Sequence, residues 1–228
     1  MRTSSRLDRL LRAVASVAFV GGAVVACSSG VSKSGVDQNV CDGGNYLKVR
    51  GLVPKVPVDY MELRFWAASD GPPLKGQVPF EVAESSGVKC AKASDQPKCV
   101  KALDGVENPK SGLRGVESQR RVTTLAFTRG DEVGSIKTEA ELRAFVSMSS
   151  VKDAALLAWS RGYDIPCSDG DNAGATADGF LIIGRTGNTC GGNIDEHRLH
   201  VMRTGEIFVE ETKRYEDGDS DCVPPGPT

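Results

Sequence analysis

The sequence predicts an α+β fold: a mostly antiparallel sheet with a pair of short helices, stapled by about three disulfides. Three observations support this prediction. Segments with strand-type patterns occupy both ends of the body, two segments with helix-capping residues lie between them, and six cysteines are spread along residues 41–222. Strands followed by helices and then by strands again are typical of α+β proteins.

The first strands are expected before residue 87. Residues 58–65 alternate between apolar and polar side chains, which predicts a half-buried strand. Two shorter segments also have strand character, residues 46–52 and residues 78–82. Residues 87–117 are polar and interrupted by prolines, so we expect a long excursion there that a disulfide holds.

The middle of the chain predicts a hairpin and then a helix. Residues 121–129 and 132–136 have strand character and flank a short turn, as the two strands of a hairpin do. Thr138 and Glu141 have the spacing of a capping box, in which the hydroxyl accepts a bond from an orphan amide and the glutamate reaches back. A helix is therefore expected to begin after Thr138.

A second helix and the last strands complete the body. This helix is expected to begin after the serine pair 149–150 and to run to Arg161, with Gly162 as its C-terminal cap. Residues 180–183 form a continuous apolar run, which predicts a strand buried on both faces. Residues 197–203 and 206–215 flank Thr-Gly and predict a β-hairpin.

The N-terminus has the pattern of an export signal. Four arginines precede residues 13–26, which carry no charge and, at about 21 Å as a helix, are too short for a bilayer core of about 30 Å. The motif VVAC at residues 24–27 resembles the lipobox of bacterial lipoproteins. This resemblance implies cleavage before Cys27 and a Cys27 that carries acyl chains, palmitate among them. The alternative is cleavage by an ordinary signal peptidase, which leaves the protein without an anchor.

The lipobox also implies a location and a division of the chain. Ser28 stands where many inner-membrane lipoproteins have aspartate, so the resemblance implies the cell envelope and, within it, the outer membrane. The membrane would be bound through the lipid, since two or more acyl chains hold a protein stably. We expect a signal peptide at residues 1–26, a lipid-anchored flexible tether at 27–40, a single domain at 41–222 and a disordered tail at 223–228.

Charge argues against a nucleic-acid partner. Residues 1–26 hold four basic residues and one acidic residue, so their removal lowers the totals from 28 and 30 to 24 and 29, a net charge of −5. A nucleic-acid surface would need a basic patch.

The cysteines predict disulfides because an exported compartment is oxidising. Apart from Cys27, six remain, no two in a C-x-x-C pair, and six cysteines permit 15 pairings. We expect Cys90 to pair with Cys99 across a short polar loop. The other expected pairs are Cys167 with Cys190 and Cys41 with Cys222.

Three groups of residues resemble functional sites, but their patterns favour structural roles. His197 and His200 share a predicted strand, which places them on opposite faces and argues against a shared metal. The acidic turns at residues 217–221 and 169–172 lack the remaining ligands of a calcium loop. Residues 149–152 match S-x-x-K without the other motifs of penicillin-recognising enzymes, so a helix cap is the better interpretation.

No catalytic residue, metal ligand or cofactor is predicted. The sequence has no nucleophile elbow and no phosphate-binding glycine loop. Trp66, Trp159 and Phe145 could line a pocket, but core packing is the favoured interpretation of each. The leading hypothesis is a binding or structural module that engages an envelope protein or polymer. The alternatives are an envelope hydrolase with an unfamiliar site and a weak calcium or small-ligand binding module.

The body resembles uncharacterised lipoproteins and secreted proteins of myxobacteria. Three segments carry this resemblance: YLKVRG at residues 46–51, TEAEL at 138–142 and GDSDC at 218–222. The resemblance supports the lipoprotein interpretation and implies no catalytic residue.

Overall fold

The computed structural model describes residues 30–67, 80–107, 109–115, 121–187 and 192–217. Within these ranges there are eight strands and three helices. In chain order they are β1 (Tyr60–Ala67), β2 (Phe80–Gly87), α1 (Gln96–Asp104), β3 (Arg121–Arg129), β4 (Glu132–Ile136), α2 (Glu139–Phe145), α3 (Val151–Ser160), β5 (Ala173–Ala175), β6 (Gly179–Thr186), β7 (Ile194–Met202) and β8 (Ile207–Glu216). No helix in the described ranges is long and apolar enough to cross a membrane.

The strands form two antiparallel sheets. The first sheet has the order β2-β1-β3-β4 and the second has the order β5-β6-β7-β8. The mixture of helices with antiparallel strands confirms the predicted α+β class, but the strands divide into two sheets where the sequence predicted one. The first sheet contains the strands before α2 and the second contains the strands after α3.

Helix α3 is the apolar centre of the molecule. The five residues 154–158 are all buried, and the helix packs against β5 and β6. Its apolar residues belong to the same core cluster as Leu63 and Leu125 of the first sheet. One continuous core therefore joins the two sheets through this helix.

The two predicted helix starts are confirmed. Thr138 and Glu141 form the capping box of α2, and Ser150 and Asp153 form that of α3. The α3 box is buried: Asp153 accepts bonds from the amides of Val53 at 2.9 Å and of Ser149 and Ser150 at 3.1 and 3.2 Å. Burial raises the pKa of Asp153, and these three amides partly offset that shift. The carboxylate thus fixes both the helix start and the loop at Val53.

Strand β1 is buried on both faces, whereas the sequence predicted one exposed face. Leu63 and Phe65 face the main core, while Tyr60 on the opposite face packs with Leu103 of helix α1. The sequence prediction was wrong because residues 87–117 were treated as a loop and contain α1. Asp95 caps this helix by accepting from the amide of Lys98, and a proline occupies its first turn.

The polar residues on that face of β1 form a buried network. Glu62 and Arg64 are fully buried, and Arg64 Nε donates to Glu62 Oε1 at 2.6 Å. Tyr60 donates its hydroxyl to Glu62, and Lys89 approaches the same carboxylate at 3.4 Å. Burial and this hydrogen bond raise the pKa of Tyr60, which keeps the phenol protonated. Pairing of this kind is what a buried charge requires.

Residues 30–41, here called the N-terminal segment, lie across the outer face of the second sheet. Val31 is buried and donates its amide to Glu196 of β7 at 3.0 Å. Gln38 pairs with Ala173 of β5 as an added strand partner. Gly174 lies so close beneath the segment that a Cβ there would meet the Gly35 carbonyl oxygen at 1.8 Å. The part of the expected tether that begins at Gly30 is thus packed against the domain.

This cover explains the burial of β6. Leu181 and Ile183 alternate with Phe180 and Ile182, and all four are buried, as the continuous apolar run predicted. Phe180 and Ile182 belong to the main core. Leu181 faces outward, and its Cδ1 lies 3.2 Å from the place where a Cβ added to Gly35 would stand.

The β3–β4 and β7–β8 hairpins are found where predicted, and β7 begins three residues earlier than expected. Residues 46–52 form turns and not a strand. Strand β5 was not predicted; it has three residues, too few for a periodic signal.

Two disulfides are present in the described residues. The Cys90–Cys99 bond was predicted correctly. The predicted pairs Cys41–Cys222 and Cys167–Cys190 are wrong, because Cys41 is bonded to Cys167. The N-terminal segment crosses the second sheet and brings Cys41 to the loop after α3. Cys190 and Cys222 lie outside the described residues.

The two disulfides are expected to differ in their effect on stability. Cys41–Cys167 closes a separation of 126 residues and Cys90–Cys99 one of 9. Because a longer loop loses more chain entropy in the unfolded state, the Cys41→Ser/Cys167→Ser variant should lose about 5 kcal/mol and the Cys90→Ser/Cys99→Ser variant about 2.5 kcal/mol. Urea unfolding of both double variants measures the difference. Equal losses, or a peptide map that joins Cys41 to Cys222, would contradict the structure.

The buried capping box provides a second test. Asp153→Asn replaces the oxygen that accepts from the backbone amides of Ser149 and Ser150 with an NH2 group, so donors would face donors. The free energy of unfolding should fall by about 2 kcal/mol. Glu141→Gln changes the same motif in α2 at an exposed position and should cost less than about 0.5 kcal/mol. Urea unfolding of the two variants makes the comparison, and similar losses would show that burial of Asp153 contributes nothing.

Candidate functional site

A cavity of about 410 Å³ lies between the first sheet, the C-terminal end of α3 and the loop at residues 45–47. We call it the aromatic pocket. Its volume lies in the range of small-ligand sites, about 300–1,000 Å³. The described lining residues combine aromatic rings with arginine, aspartate and asparagine. They include Asn45, Tyr46, Phe65, Arg114, Arg121, Trp159 and Asp164.

One wall is built on β1 and β3. Phe65 is buried on the inner face of β1, and Tyr46 meets its ring edge-on with the ring centroids 5.2 Å apart. The guanidinium carbon of Arg121 lies 4.3 Å from the centroid of the same Phe65 ring. Tyr46 is 41% exposed, so its ring is the part of this wall that a ligand can reach.

The opposite wall is built around Arg114. This side chain donates to the Gly162 carbonyl at 3.0 Å and to the Asp164 carboxylate, and its guanidinium lies over the Trp159 ring at 5.1 Å. The arginine is 16% exposed and its aspartate partner is 61% exposed. Arg114 therefore holds the wall together, while Asp164 presents a carboxylate at the rim.

The Cys41–Cys167 disulfide fixes the base of the pocket. Cys167 is a lining residue, and Cys41 lies four residues before Asn45 in the loop that forms the rim. Asp164 is fixed from the other side, because its backbone pairs with Arg185 of β6. Asn45 and Asp164, the polar residues of the rim, are therefore both attached to the rigid part of the fold, as a preformed binding site requires.

The sequence did not predict this pocket. For Trp159 it favoured core packing, whereas the residue lines the aromatic pocket and is only partly buried against the core. Trp66 is buried elsewhere and donates Nε1 to Thr124 at 2.9 Å, while Phe145 packs on Phe127. The contributions of Tyr46 and Arg114 were missed, because residues far apart in the chain form the pocket and no local motif announces them.

The two histidines lie on β7, as predicted. His197 is hydrogen-bonded to Thr186 at 2.7 Å and to Thr212 at 2.9 Å, on the two neighbouring strands. Burial lowers the pKa of His197, which favours a neutral ring. His200 instead lies beside Asp178, with 3.2 Å between Nε2 and the carboxylate. The two rings thus have separate surroundings and are not brought together.

The acidic turn at residues 169–172 has a structural role. Asp169 is paired with Arg185, and its carbonyl accepts from Lys33. Asn172 is buried, and its side-chain oxygen Oδ1 accepts a hydrogen bond from the Val40 amide at 3.0 Å. These oxygen atoms hold the N-terminal segment in place. In the described ranges, no three histidine, cysteine, aspartate or glutamate residues are grouped as a metal site would need.

The S-x-x-K segment is a helix start. Ser150 accepts from the Asp153 amide at 3.1 Å and is the cap of α3, as the sequence predicted. Lys152 donates to Asp42 at 2.7 Å rather than to a serine. Cys27 and residues 218–221 of the second acidic turn lie outside the described residues.

Comparison with known proteins adds no relative. No protein-family model, no curated protein and no solved structure matches the chain significantly.

Proposed function

We propose that this chain is a lipid-anchored protein of the cell envelope whose domain binds a small ligand in the aromatic pocket. The pocket is the single observation that carries the binding function. The lipobox-like motif at residues 24–27 supports the anchor, and the Cys41–Cys167 and Cys90–Cys99 disulfides suit an oxidising compartment.

The lining favours a saccharide unit of an envelope polymer as the ligand. The ring of Tyr46 offers a flat apolar surface for the C–H face of a pyranose, and the indole of Trp159, covered in part by the Arg114 guanidinium, adds apolar wall beside it. Asp164 and Asn45 are both exposed and supply acceptors and a donor for hydroxyl groups. A few polar groups placed around apolar rings provide both affinity and orientation.

The same geometry favours binding over hydrolysis. Among the described lining residues Asp164 is the only carboxylate, and it is engaged by Arg114. Glycoside hydrolysis uses a pair of carboxylates about 5–10 Å apart, and acyl transfer uses a nucleophile beside a base. His197 contacts threonines of the second sheet and not a serine.

The anchor is tested by the mass of the native protein. We expect the protein extracted from membranes to begin at Cys27 with acyl chains attached, and to incorporate labelled palmitate. Cys27→Ser should abolish the label and release the protein from the membrane fraction, because without acyl chains the protein lacks the anchor we propose. The matched Cys90→Ser/Cys99→Ser variant should keep the label. A native chain that begins at Met1 without lipid would refute the anchor.

Pocket binding is tested with the detergent-solubilised mature protein and two probes, N-acetylglucosamine and N-acetylmuramic acid. Saturation-transfer NMR should show contact with the pyranose protons. Tyr46→Ala should weaken binding about two- to tenfold, since a lost ring contact costs roughly 0.5–1.5 kcal/mol.

The matched control is Phe208→Ala, which removes an exposed ring from β8. This variant should bind both probes as the unchanged protein does. If neither sugar binds, or if both variants lose affinity equally, the aromatic pocket is not a saccharide site.

A further inference from the structure

The N-terminal segment is fixed to the domain from its first described residue. Gly30 accepts a bond from Lys213 of β8 at 3.1 Å. The amide of Ser32 donates to Glu211 of β8 at 2.8 Å, and the Ser32 carbonyl accepts from Arg198 of β7 at 2.8 Å.

A further bond continues this pattern. The carbonyl of Ser34 accepts from the same Arg198 Nη1 at 2.7 Å, so one guanidinium holds two points of the segment. Arg198 is itself largely buried, with 14% of its side chain exposed. Charged donors of this kind make hydrogen bonds roughly twice as strong as neutral ones. The chain therefore has a fixed point of departure at Gly30, on the outer face of the second sheet near β8.

The proposed lipid lies very close to this point. Only residues 28 and 29 separate Cys27 from Gly30. Consecutive Cα atoms are 3.8 Å apart, so the Cα atoms of Cys27 and Gly30 cannot be more than about 11 Å apart whatever the conformation between them. A free tether over residues 28–40 would instead reach about 45 Å.

We propose that the outer face of the second sheet next to Gly30 rests on the lipid headgroups of the membrane. This inference depends on the acylation of Cys27 in the proposed function. The orientation follows because a reach of about 11 Å keeps this face at the bilayer surface. The face includes Tyr215, which is 36% exposed and stacks on Arg185. Tyrosine, with an apolar body and a polar tip, suits the headgroup region.

Charge attraction is not the cause of this orientation. Two cations of β8 have acidic partners: Lys213, which binds Gly30, pairs with Glu211, and Arg214 pairs with Asp195. The short covalent connection sets the orientation, so it should be independent of the anionic lipid content and of salt.

The experiment is photo-crosslinking of the full-length protein in the membranes of a Gram-negative host. p-Benzoylphenylalanine replaces Tyr215 in one variant and Val88 in the other, and the yield of phospholipid adducts is measured by mass spectrometry. Val88 is 67% exposed and follows β2, which is an edge strand of the first sheet. We expect at least a fivefold higher lipid yield at position 215.

A matched insertion tests the cause. Ten glycine and serine residues inserted between Ser29 and Gly30 leave the domain unchanged and add about 35 Å of reach. The yield at position 215 should then fall to that at position 88. Acylated protein with equal yields at the two positions, or with a yield that ignores the insertion, would overturn the orientation while leaving the anchor intact. An unacylated Cys27 would overturn both.

Discussion

The contact on which the rest of this structure depends is that between the N-terminal segment and the outer face of the second sheet. Glu196 and Arg198 bind the backbone of residues 31–34, and Gln38 pairs with Ala173. Beneath the segment lies Leu181, whose Cδ1 is 3.2 Å from the place where a Cβ on residue 35 would stand. Burying one such side chain contributes roughly 1.5–3 kcal/mol, so residues 30–41 are a structural part of the domain.

The same segment connects the N-terminal end of the domain to the pocket. After crossing the sheet it reaches Cys41, whose disulfide to Cys167 anchors the loop after α3. The chain then continues through Asn45 and Tyr46, which form one rim of the aromatic pocket. The position of the proposed anchor and the shape of the pocket thus both depend on a single run of chain. In the arrangement we propose, this run leads from the lipid to the ligand.

Local patterns in the sequence predicted most of the secondary structure. The capping box at Thr138 and the N-cap serine before residue 151 marked two helix starts, and the Thr-Gly turn marked the last hairpin. These features succeed because each is decided by residues three or four positions apart. Helix α1 was missed although Asp95 and the following proline gave a start signal, because its polar composition resembled that of a loop.

The long-range features could not be predicted in this way. Cys41–Cys167 joins residues 126 positions apart, and the choice among 15 pairings depends on how the N-terminal segment crosses the sheet. The segment is small and polar, which is typical of a flexible linker. It is ordered by charged side chains from β7 and β8 that bind its backbone, and nothing in its own composition shows this. The aromatic pocket is equally invisible, since Tyr46, Arg114 and Trp159 come from three separate parts of the chain.

Amide hydrogen exchange in the segment tests this account most directly. The amides of Val31, Ser32, Gln38 and Val40 all donate hydrogen bonds to the second sheet or to Asn172 beside it. We expect these four amides to be protected far above the level of an unstructured chain, with Val31 and Val40 close to the amides of β7. Exchange of all four at the rate of an unstructured chain would show that the segment is a free tether.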